Sequence, residues 1–196
     1  MSKAVLISIR PKWCELIASG KKTIEVRKTR PKLETPFKCY IYCTKFHPGD
    51  PDSMINLKGR TSFFMPKGGA VIGDFVCKLI DTYTLHTTPN YYTDYYNISP
   101  NGGLLYAVGG DDQTQIPEDE LLAYGKGQNI YGWHISNLVI YDEPKKMNDF
   151  MRKPCDFAAS CGACNHAKWL SGHRFDGCEL TVTRPPQSFC YVEDMT

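Results

Sequence analysis

Alternation opens the chain. Val5, Ile7 and Ile9 fall on one parity and Leu6, Ser8 and Arg10 on the other, which predicts a strand over residues 3–10 with a basic end. Pro11 follows where a helix can start, because the N–H that proline lacks would be orphaned there anyway. Trp13, Leu16 and Ile17 recur at i, i+3, i+4, the spacing of a short amphipathic helix running from Trp13 to Ser19. Gly20 closes it, since glycine reaches the positive φ of a helix end at no steric cost. From Thr23 the period returns to two, so Thr23, Glu25 and Arg27 share one strand face and Ile24 and Val26 the other.

Further along, Phe37 to Thr44 alternates again, with Cys39, Ile41 and Cys43 opposite Tyr40, Tyr42 and Thr44. Cys39 and Cys43 read as small buried thiols. Residues 46–69 have no period and form a long loop. Ala70 to Leu79 predicts a strand that puts Asp74 on the face of Ile72 and Val76, where it would meet Arg10 or Arg27, or water. Residues 83–110, rich in tyrosine and glycine, read as an insertion with little regular structure, its tyrosines covering a core or stacking on bases. A helix over Pro117 to Tyr124 starts with proline and acids and stops at Gly125, and Ile130 to Tyr141 supplies the last strand. The pattern is that of an α+β chain, mainly β, with short flanking helices. The polar run 142–146 marks a boundary between a domain of residues 1–143 and an extension of residues 144–196.

Composition narrows this picture. An apolar content of 42% supports a packed core, and no apolar run reaches the ~18 residues needed to span a bilayer, so no membrane partner is expected. The N-terminus lacks the form of a signal peptide, which predicts a cytoplasmic protein whose nine cysteines are thiols or metal ligands. Net charge is +2, but residues 1–48 hold eleven Lys and Arg against three acids, a net of +8, leaving −6 for the rest. That asymmetry suits one face adapted to a polyanion, unless the two halves interleave in space and cancel.

Chemistry concentrates where the basic half meets the second strand. Gly20-Lys21-Lys22-Thr23-Ile24-Glu25-Val26-Arg27 reads G-x-K-x-x-E-x-R, a carboxylate between two cations. By spacing alone it is either a solvated ion pair worth ~0–1 kcal/mol or a binding cleft. Gly20, Lys22, Glu25 and Arg27, preceded by Ser8-Ile9-Arg10-Pro11 and the helix, resemble the signature of the ASCH domain. The likeness covers residues 3–45 and resumes at Tyr131-Gly132-Trp133-His134-Ile135-Ser136-Asn137-Leu138.

The resemblance implies a PUA-like small β-barrel associated with RNA. It implies a cleft lined by Arg10, Lys22, Glu25 and Arg27 that binds RNA or a nucleotide. It also implies an alternative, a ribonuclease or modified-nucleoside hydrolase in which Lys22, Glu25 and Arg27 are catalytic. In the amidohydrolase branch of the family a threonine follows the lysine by three residues. Here that position is Glu25, with Thr23 as a possible substitute.

The extension is rich in cysteine. Cys161-Gly162-Ala163-Cys164 has the gap that lets two thiolates face one tetrahedral ion, and Cys155 and Cys178 complete a four-thiolate set for one structural zinc. Reduced thiols in a docked tail are the alternative. Cys190, in Ser188-Phe189-Cys190-Tyr191-Val192, reads as part of a packing strand. Oligomeric state leaves no mark in the sequence.

Overall fold

The computed structural model of the chain describes residues 2–45, 69–86, 95–98, 113–152, 162 and 178–195. Strand β1 (Lys3–Ile9) leads into helix α1 (Pro11–Ala18), and β2 (Ile24–Arg27) carries the charged motif. Then come β3 (Phe37–Cys43), β4 (Ala70–His86), β5 (Tyr95–Ile98), α2 (Glu118–Gly125), β6 (Ile130–Lys145) and β7 (Phe189–Glu193). Proline stands at the first turn of α1 as expected, and Gly20 takes φ 76° beyond its end. In α2, Pro117 is instead the residue before the helix, and Lys126 turns left-handed at its end.

The strands make one sheet in the order β2-β6-β4-β3-β1-β7, with β5 paired to the far end of β4. Among the described residues only β1 and β3 run parallel. Val5, Ile7, Ile9, Cys39, Ile41, Cys43, Phe75, Cys77 and Trp133 fill the inner face, with Cys14 and Ile17 of α1 packed on it. Ala4, Leu6, Tyr40, Tyr42 and Val71 point outward and pack against Phe150, Val182 and Val192 from the C-terminal part of the chain. The two cysteines of β3 are therefore buried thiols, and Cys190 lies in β7.

The sheet is α+β in class and mainly β, but among the described residues it does not close into a barrel. A strand has two edges. Those of β1 are taken by β3 and β7, so β2 finds no vacant edge there. The free edge of β2 is met by a loop, with the Thr23 and Ile24 N–H groups donating to the Gln113 carbonyl at 2.8 and 2.9 Å.

Two predicted strands run further than their alternation suggests. β4 extends to His86 and β5 returns beside it, so residues 83–86 and 95–98 are paired strands and not irregular chain. β6 continues through 142–145, across the stretch read as a boundary. The 46–68 loop and Tyr91-Tyr92-Thr93-Asp94 lie outside the described residues.

Asp74 is a further correction. Register shifts on either side of it break the alternation, so Ile72 packs inward while Asp74 pairs beside Tyr40 on the outer face. It meets neither Arg10 nor Arg27. The Tyr141 hydroxyl donates to it at 2.6 Å and Lys38 lies 3.7 Å away.

Candidate functional site

The turn after α1 folds Lys22 back under the helix, its backbone N–H donating to the Leu16 carbonyl at 2.9 Å. Its side chain ends up sealed between α1, β2 and the loop before α2. The Lys22 ammonium donates to the Thr114 carbonyl at 2.6 Å, lies 3.5 Å from Glu25 Oε2, and sits 5.0 Å from the centre of the Trp13 ring. Glu25 Oε1 takes a second contact from Arg27 Nη2 at 2.9 Å, and the same Arg27 nitrogen donates to the Ser8 carbonyl of β1. Lys22, Glu25 and Arg27 therefore converge, as their spacing predicts, but inside the molecule, at 1%, 5% and 9% exposure.

Burial decides their electrostatics. Removing an ammonium from water pushes the Lys22 pKa down, and the neighbouring Glu25 carboxylate only partly restores it. Two cations around one carboxylate keep that carboxylate fully occupied, which is the condition for a buried charge cluster to hold together. Among the described residues, the buried Arg27 Nε and Trp133 Nε1 have no hydrogen-bond partner. Trp133 stands directly opposite Glu25 in the β2–β6 register. The interior next to the motif thus keeps two unused donors. Cys14 borders the same cluster, its thiol raised by burial and by the adjacent Cys43.

Arg10, the fourth predicted site residue, is exposed and stands at the start of α1. It belongs to an outer rim. Lys12 of α1 reaches 3.9 Å from Glu120 of α2, and Lys28, just after β2, places its ammonium 4.9 Å from the Tyr124 ring centre. Tyr124 is one helical turn beyond Glu120, so the same side of α2 meets both α1 and the end of β2. Burial raises the Tyr124 pKa, Arg27 and Arg10 lower it and Glu25 raises it again, which places all three charges within electrostatic reach of its hydroxyl.

This rim of Arg10, Lys12, Lys28 and Tyr124 escapes a reading by spacing, because Tyr124 comes from α2, far along the chain from the other three. Its one advance signal is an aromatic residue in the last turn of an acidic helix.

His134 lies within the second stretch singled out by resemblance but not in the cluster. Its Nε2 meets Asp81 Oδ2 at 2.6 Å, with β6 carrying Trp133 to the opposite face. Cys155, Cys161 and Cys164 lie outside the described residues. Cys178 is a half-buried free thiol. Among the described residues no cluster of three or more His, Cys, Asp or Glu is placed to hold a metal. No helix there is long and apolar enough to cross a membrane.

Residues 7–94, which include the whole charged motif, match the family model of the ASCH domain. Over that stretch the chain is similar to the ASCH domain. A mutant ZmASCH protein from Zymomonas mobilis is similar in fold, at TM-score 0.51 and 16% identity, over 98% of this chain and 91% of that one. The crystal structure of ASCH from Zymomonas mobilis gives TM-score 0.50 and 17% identity, over 97% of this chain and 87% of that one. At these identities the likeness concerns the fold of the ASCH protein and not its chemistry. No match was found among curated proteins.

Proposed function

We propose that this chain binds single-stranded RNA or a nucleotide on the rim of Arg10, Lys12, Lys28 and Tyr124, held in place by the buried Lys22–Glu25–Arg27 cluster. The observation that carries the reading is the division of labour by burial. The motif cations are spent internally on Glu25, Thr114 and Ser8, while Arg10, Lys12 and Lys28 stay exposed. Exposed Lys and Arg meet phosphates without reading sequence, and a neighbouring aromatic adds a surface for a base.

Fluorescence anisotropy with a labelled single-stranded RNA tests this. Affinity should fall with salt by about 0.7 log units per log unit for each phosphate contact. Arg10→Ala combined with Lys28→Ala should weaken binding while leaving the fold intact. A flat salt response, or unchanged binding by the double variant, would overturn the assignment.

A second reading, a nucleic-acid-processing enzyme, draws on the lowered pKa of Lys22, since a desolvated amine loses its proton more readily and can serve as a base. Its burial against the Thr114 carbonyl counts against it, because a substrate would have to displace that contact. Incubation with RNA and with modified nucleosides distinguishes the two. Turnover that survives in the Lys22→Met protein would remove Lys22 from the chemistry.

A further inference from the structure

Five large apolar side chains are exposed among the described residues: Leu79, Tyr124, Val139, Tyr191 and Met195. Leu79, Val139 and Met195 have no aromatic face. The Tyr191 hydroxyl is engaged by the Lys32 N–H at 2.7 Å, and its ring packs against Phe189 with centres 6.1 Å apart. Tyr124 differs. It is 38% exposed, carries the Lys28 ammonium at 4.9 Å from its ring centre, and stands beside the Lys12–Glu120 pair of the two facing helices.

We propose that Tyr124 is a stacking platform for one base of the bound strand, with Lys28 and Arg10 placed for the phosphates on either side of that base. The proposal rests on the polyanion reading of the rim and adds to it a contact that a polyanion without bases cannot use.

Two features make the ring a platform and not a loosely attached side chain. It belongs to the last turn of α2, and Leu121, one turn earlier, is buried against Val26, Tyr83 and Ile130. Its ring faces the end of β2, where the Lys28 ammonium lies 4.9 Å from its centre. A ring already held loses little freedom when a base arrives, and pre-organisation of this kind contributes to affinity. Every base has a π-face, so such a platform favours single strands without selecting a sequence. Lys28 lies over the ring in the free protein and is long enough to turn to a neighbouring phosphate once a base replaces it there.

The test compares two probes of equal length and charge, a single-stranded RNA and an abasic oligonucleotide. Wild type should bind the RNA more tightly than the abasic strand. Tyr124→Leu, which keeps apolar bulk over the helix but removes the π-face, should weaken RNA binding by about 5- to 100-fold and leave abasic binding unchanged. Tyr124→Phe should retain the RNA preference. If Tyr124→Leu binds RNA as wild type does, or if wild type does not distinguish the two probes, the stacking role is overturned while the polyanion reading stands. If wild type binds neither probe, the polyanion reading falls and the platform with it. Circular dichroism of Tyr124→Leu confirms that the comparison is made on folded protein.

Discussion

The Arg27 guanidinium on the edge strand β2 donates to the Ser8 backbone carbonyl on β1, a strand four places away in the sheet order. One side chain thus spans the gap that hydrogen-bonded strands would have closed in a barrel. The same guanidinium holds Glu25, so the sheet's curl and the motif's charge balance depend on one residue.

Arg27→Ala is therefore a stability variant before it is a binding variant. It leaves Glu25 buried with Lys22 alone and the Ser8 carbonyl without that donor. Removing one partner from a buried ion cluster costs about 3–5 kcal/mol. Arg10→Ala, on an exposed residue, should cost within about 0.5 kcal/mol. Urea unfolding of the two variants measures the contrast. Equal, small losses would mean that the cluster contributes little to the fold.

Gly132→Ala should be nearly as damaging, for a steric reason. Tyr83 pairs with Ile130 in the β4–β6 register and its ring reaches over Gly132, where a Cβ would fall 2.4 Å from ring carbon Cε2 and 2.5 Å from the hydroxyl oxygen. Tyr83 is buried in the cluster that seats α2, so it has little room to retreat. Overpacking of this kind costs about 1–3 kcal/mol. Thermal unfolding of Gly132→Ala against wild type reads it, and an unchanged midpoint would show that Tyr83 can swing aside.

How far the sequence reveals this follows from which interactions are local. The alternation of Val5, Ile7, Ile9 and of Cys39, Ile41, Cys43 reports their faces directly, because strand period and burial coincide there. Lys22, Glu25 and Arg27 are legible as a group, since a turn and a four-residue strand bring them together. Their burial is not, because it depends on Thr114, 92 residues beyond Lys22. Asp74 is misread for a related reason: a register shift is set by the partner strand and leaves no mark in the alternation. The Tyr124 rim needs α2 beside the distant segment 10–28, and periodicity within one segment cannot report that.

Alkaline pH should unfold the protein early. Burial holds the thiols of Cys14 and Cys39 well above their usual value of 9.0 and pushes Cys77 up to about 12. Burial also raises the hydroxyls of Tyr40, Tyr83 and Tyr141. A group whose folded pKa lies above its unfolded value adds stability that is complete below the unfolded value and lost as pH rises through the folded one. Lys22 works in the opposite direction, since its lowered pKa lets the folded chain lose a proton before the unfolded chain does. These six raised groups, with Tyr42, Tyr124 and Cys190 raised as well, oppose one lowered group among the described residues. The urea midpoint should fall steadily from about pH 9 upward, and a midpoint that is flat to about pH 10.5 would contradict these burials.

The last prediction concerns zinc, which the spacing of Cys155, Cys161, Cys164 and Cys178 leads us to propose. The ends of segment 153–177 are held together independently of any metal. The Arg152 N–H donates to the Leu180 carbonyl at 2.7 Å, the Val182 N–H donates to the Phe150 carbonyl at 2.9 Å, and Met151 bridges Thr181. Beyond them β7 pairs with β1, so the chain after the segment belongs to the sheet. A metal would therefore act on a segment whose flanking residues already meet. Thiolates must lose their protons to bind, so zinc uptake should release protons and weaken as pH falls. Elemental analysis should find about one zinc per chain, lost in Cys161→Ser. Limited proteolysis after chelation should then cut between Arg152 and Cys178, while the strands on either side stay resistant. Metal-free protein whose segment resists protease equally before and after chelation would leave these cysteines as reduced thiols.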